Sequence, residues 1–168
     1  MDAEIHKLLT DESRTQMSAI WEKAKDRDFK GLDDEAQRIA KIMVEHEDEL
    51  YRQFEQADLI FDPEVNPATE YDPLLHIAIH SIIEAQLEHN DPLEVVEFFN
   101  AMRRKKYARH DAIHLAGQIL TCLIFEMSEH QKPFDLETYR KLLGKYKSCD
   151  PGKLMDLLDN EPLLSDTA

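Results

Sequence analysis

Two pairs of histidines hold most of the chemistry available to this chain. "HIAIH" spans residues 76–80, with Glu84 one turn further on, and "HDAIH" spans residues 110–114. Residues four apart are neighbours on a helix surface, so each pair can offer two imidazoles to one point. A step of four turns by about 40° around the helix. His76 therefore lies inside the apolar arc of Leu75, Ile79, Ile83 and Leu87, His80 on its border and Glu84 just beyond it. His110 and His114 share a face with Ile113, Gly117, Thr121, Ile124 and Phe125, and Gly117 removes bulk beside the rings. Both pairs are expected to face inward. His46 joins them on the apolar face of its own segment, with Ile39, Ile42, Met43 and Leu50, while Glu35 lies at a similar angle but about three turns away.

The chemistry that uses such an arrangement is metal ligation, because helical proteins build metal sites from inward His and Glu side chains. The bland alternative is a set of core histidines. One inward imidazole is easily satisfied by a carbonyl or carboxylate, but His76, His80, His110 and His114 together demand partners for two nitrogens each. That demand favours an ion. The expected ligands are His76, His80, His110 and His114, with His46 and Glu84 beside them and Gln118 and Glu35 as supporting groups. Imidazole-rich ligation suits zinc, iron or nickel. One carboxylate near the stripe gives little support to a di-iron oxidase. No GxSxG, P-loop, dinucleotide glycine motif or HExxH is present, so the sequence assigns no reaction. The competing reading is a metal-free module whose acidic surface docks a basic protein partner, with its histidines in the core or in a pH-sensitive network.

The elements that must position these residues read as helices throughout. Of 168 residues only four are glycine and a third are charged, a composition of strong helix formers. Segments 11–28, 33–57, 74–89 and 109–129 make four main helices, with shorter ones after Asp91-Pro92 and over "DLETYRKLLGKY". Gly31 suits a helix C-terminus. Asp72-Pro73 is a strong start, the aspartate capping and the proline fitting the first turn. "LIFDPEVNPATEYDP" reads as a long connection across a bundle. The expectation is an all-α helical bundle in one domain, residues 1–147, with 148–168 as a peripheral tail.

The net charge of −15 argues against nucleic acid or an anionic membrane surface as a partner. No apolar run approaches the ~20 residues of a membrane span, and "MDAEIHKLLTDES" lacks a signal-peptide core. Cys122 and Cys149 form no CxxC motif. A reducing cytoplasm is the expected compartment. "MRRKKYAR" is a basic island that suits a helix C-terminus better than a phosphate site. Cys122 reads as a packing residue.

"YDPLLHIAIHSIIEAQLEHNDP" followed by "RHDAIHLAGQILTCLIFEMSEHQ" resembles a bacterial family catalogued as a domain of unknown function, DUF1841. The resemblance covers nearly the whole chain up to the final helix, and Trp21, Glu35 and His46 match it as well. It implies the paired HxxxH constellation without implying a reaction. Members often carry an acid where this chain has Gln118, and another where it has Ala85 beside Glu84, so the acids match less well than the histidines. A looser likeness is to hemerythrin-type metal-binding bundles, although "HQKPFD" has Pro133 inside it, where a helix would break.

Overall fold

The computed structural model describes residues 11–56 and 72–160. Within them the chain is all-α, as its composition implies. The helices are α1 (Asp11–Lys25), α2 (Asp34–Glu45), α3 (Glu47–Glu55), α4 (Pro73–His89), α5 (Leu93–Arg104), α6 (Arg109–Glu129), α7 (Leu136–Tyr146) and α8 (Leu154–Asp159), with a 3-10 turn at Pro151–Lys153. The four main helical segments are α1, the α2–α3 pair, α4 and α6. Most of the expected connection between α3 and α4, and His6, lie outside the described residues. The chain divides into two compact units, Met1–Ser81 and Ile82–Ala168, and the boundary falls inside α4.

The first unit is built on α1, which packs against α2 and α3. Its core joins Met17, Trp21 and Ala24 to Ile39, Ala40, Ile42, Met43, Leu50 and Phe54, and to Leu74, Ile77 and Ala78 of α4. Trp21 anchors it. The indole is 1% exposed, its ring lies 4.9 Å from that of Phe54, and its N–H donates to Glu55 Oε1 at 2.7 Å, so the one polar atom of a large apolar group is satisfied. Asp33 caps α2 by accepting from the Ala36 N–H at 2.8 Å. Asp72 caps α4, accepting from Leu74 and Leu75, and its second oxygen takes the Arg14 guanidinium at 2.6 Å.

Helix ends depart from the sequence reading. Gly31 does not close α1. The helix stops at Lys25 because Arg27 takes a left-handed conformation, φ 57°, letting its own N–H reach Ala24 O and the Asp28 N–H reach Lys23 O. This is the double bond of a Schellman cap. Asn90, Lys106 and Gln131 hold the same left-handed position after α4, α5 and α6. With so few glycines in the chain, non-glycine residues take these caps, each at a steric cost of about 1 kcal/mol.

In the second unit α6 is the central helix, burying Ala112, Ile113, Leu115, Ala116, Ile119, Leu120, Leu123, Ile124 and Met127. It packs against α5, α7 and α8, which contribute Val95, Phe98 and Met102, then Tyr139, Leu142, Leu143 and Tyr146. Tyr139 is fully buried and donates its hydroxyl to Gln86 Oε1 at 3.0 Å. Burial pushes its phenol well above the ordinary range, so it stays a neutral donor. The segment after residue 147, expected to lie at the periphery, sends Leu154 and Leu158 of α8 into this interior at 1% and 3% exposure. Two leucines four apart on one face make that short helix a part of the core.

Candidate functional site

In the first unit, three imidazoles meet. The sequence reads residues 33–57 as one helix, but the helix is interrupted at His46, whose φ is −102° and ψ 6°. No glycine or proline announces this break. His46 is the last residue tied to α2, through its backbone N–H to Ile42 and Met43 carbonyls, and its own carbonyl starts α3 by accepting from Glu49 and Leu50. Its ring turns back, and Nδ1 lies 2.8 Å from Ile42 O. A carbonyl oxygen can only accept, so Nδ1 carries the proton and Nε2 of the neutral ring presents its lone pair. A backbone carbonyl holding one ring nitrogen while the other is aimed elsewhere is how metal-binding histidines are commonly oriented.

That lone pair faces α4. His76 Nε2 lies 3.2 Å from His46 Nε2, so the His76 N–H donates and His46 accepts. The His46 ring is 5.0 Å from His76 and 4.7 Å from His80, both edge-on, and His76 and His80 are 4.7 Å apart. His46 and His80 are each 3% exposed. Four-residue spacing on α4 thus places both rings against His46, at the joint between α2 and α3.

In the second unit, His110 and His114 stack one turn apart at the start of α6, with ring centroids 4.2 Å apart; both are half-buried. Gln118 continues the stripe one turn further on. Its Oε1 is sequestered from solvent and has no hydrogen-bond partner among the described residues. Glu84, one turn beyond His80, is engaged by Arg109: Nη1 donates to Oε1 at 2.6 Å and Nη2 to Oε2. This two-pronged pair ties α4 to the first residue of α6. The wheel explains it, because the step from His80 to Glu84 carries the side chain off the apolar face.

Glu35 and the other groups disperse. Glu35 is exposed on the first turn of α2, and His89 is exposed at the end of α4. His130 caps α6 through Nδ1 to Glu126 O at 2.8 Å and is exposed. Burial raises the Cys122 thiol, as suits a packing residue. The basic island closes helices: Arg103 donates to Tyr107 O at 2.6 Å, and Lys105 donates to the Lys147 carbonyl at 3.1 Å and to that of Cys149. Sequence reasoning missed the joint at His46 and the engagement of Glu84. The charge pattern held the signal for the second, since Arg109 directly precedes His110 and opens the helix beside which Glu84 must lie.

With this geometry in view, comparison with known proteins adds one finding. The family model described as Domain of unknown function (DUF1841) matches residues 10–145. The chain belongs to the DUF1841 family. The match takes in every helix from α1 to α6, with His46, His76, His80, His110 and His114, so the DUF1841 region contains both halves of the constellation. No curated protein and no solved structure matches the chain. No helix among the described residues is long and apolar enough to cross a membrane.

Proposed function

We propose that this chain is a metal-binding helical protein whose candidate ligands for a transition-metal ion are His46 and His80 in the first unit and His110 and His114 in the second. The observation that carries the reading is the His46 ring: buried, held by a backbone carbonyl at Nδ1, and presenting the Nε2 lone pair to two further imidazoles. In the metal-free protein His76 fills that lone pair with its N–H, and an arriving ion takes its place. Glu84 supports α6 by pairing with Arg109, the residue before His110. Four neutral nitrogen donors suit zinc, nickel or iron(II) and leave the double charge of the ion uncompensated by any protein carboxylate.

The −15 charge and the His76–His46 hydrogen bond, which satisfies two rings without an ion, support a second reading. In it the chain is an acidic module that docks a basic protein, and its histidines are core residues. Thermal melting separates the two. An ion present at 1,000 times its Kd stabilises the folded state by about 4 kcal/mol, roughly 10 °C for a chain of this size. Zinc, nickel or iron(II) should raise the Tm by about that much, and chelator should reverse it. A Tm indifferent to all three metals and to chelator would leave the docking module standing.

A further inference from the structure

We infer that His76 is a further metal ligand, and that His46 and His76 hold one ion together through their Nε2 atoms. The inference rests on the metal-binding reading above and adds His76 to its candidate ligands. Both residues lie in the first unit, so the pair is complete without a group from the second. The separation of the two nitrogens carries the argument. His46 Nε2 and His76 Nε2 lie 3.2 Å apart. Two nitrogens bound to one tetrahedral zinc, each at its usual bond length, stand about 3.3–3.4 Å from one another. The protein thus holds the pair close to the spacing that an ion demands. The rings meet edge-on, at 78° with centroids 5.0 Å apart, so neither covers the other. A small tilt of each brings both lone pairs to one point beside the line between them.

The same bond shows what the protons must do. His46 keeps its proton on Nδ1, at the Ile42 carbonyl, and ligates without releasing it. His76 carries its proton on Nε2 and has to change tautomer. Nε2 gives up its proton and Nδ1 takes one up, which leaves the ring neutral and turns the Nε2 lone pair to the ion. The His76 ring is half-buried whereas His46 is 3% exposed. Solvent therefore exchanges that proton, and delivers the ion, from the side of His76. A hydrogen bond alone asks only for a donor at residue 76. Ligation asks for a lone pair there, and the two demands part on substitution.

The test is the zinc affinity of the full chain, read by competition with a chromophoric chelator. His76→Phe supplies neither donor nor ligand and should bind zinc about 10–100-fold more weakly than the parent, at least the loss that follows removal of a group supporting a ligand. His76→Glu supplies a carboxylate ligand of similar reach but, ionised, no hydrogen for His46, and should stay within a few-fold of the parent. Should His76→Phe fold poorly by circular dichroism, His76→Gln reads the same loss, because its amide N–H still serves His46 while its oxygen is a poorer zinc ligand than imidazole. Parental or tighter binding in the folded His76→Phe or His76→Gln variant would mean that His76 only covers the lone pair of His46. Equal weakening in His76→Phe and His76→Glu would mean that it only holds His46 in place. Either result would overturn ligation by His76 and leave the metal-binding reading intact. A parent protein that takes up no zinc would overturn both.

Discussion

His46 and His130 make the same local bond in two very different places. Each stands at the C-terminal end of a helix, and each sets its Nδ1 at 2.8 Å from the carbonyl four residues earlier. His130 does so in solvent, with the Glu126 carboxylate 3.8 Å away. His46 does so at 3% exposure, between two helical segments and against His76 and His80. The backbone bond is thus a common way to finish a helix, and it confers no binding capacity by itself. What separates the two rings is where the other nitrogen points. At His130 the ring is half exposed to solvent; at His46 the second nitrogen faces more imidazole.

The comparison breaks first under truncation. His46→Ala empties a buried volume and removes a bond at a helix joint, so about 2–3 kcal/mol of stability should be lost even without metal. His130→Ala, at a solvated helix end, should move the same urea midpoint by no more than about 0.5 kcal/mol. Equal losses would mean that the joint at His46 matters no more than an ordinary helix end.

A finer cut keeps the local bond and removes only the second nitrogen. The side-chain amide of asparagine can stand where Nδ1–H stands but reaches no further. His46→Asn should therefore recover part of the stability lost in His46→Ala while binding no more zinc than it does, as read by calorimetric titration. Zinc binding at parental affinity in His46→Asn would remove His46 from the ligand set. The smallest effect belongs to Glu84→Gln. Because Arg109 is 54% exposed, breaking that pair should cost about 1 kcal/mol or less and leave the zinc stoichiometry unchanged. Loss of zinc would instead make Glu84 a ligand.

Much of this was legible in the sequence because helix chemistry is local. The Asp72-Pro73 start is seen with the aspartate capping the helix, and the apolar stripe of α2 and α3 is the buried one. The inward turn of His46 and His80 follows from the same 3.6-residue period. What the period could not show was how one residue's own side chain edits the backbone. His46 interrupts its helix without a glycine or proline, and Arg27 closes α1 in place of Gly31. Nor does an angle on a wheel say which partner a side chain finds. Glu84 sits one step from His80, and an arginine on another helix claims it. Leu154 and Leu158 read as tail in the sequence because a two-turn amphipathic segment carries too few residues to stand out.

Elemental analysis tests most directly whether the histidine pairs bind a metal. The untagged protein, purified without chelator, should be measured beside a His80→Ala/His114→Ala double variant. Near-stoichiometric zinc, iron or nickel in the parent and little in the variant is the expected result. No metal in either protein, even after incubation with zinc, nickel and iron(II), would contradict the account and return these imidazoles to the core.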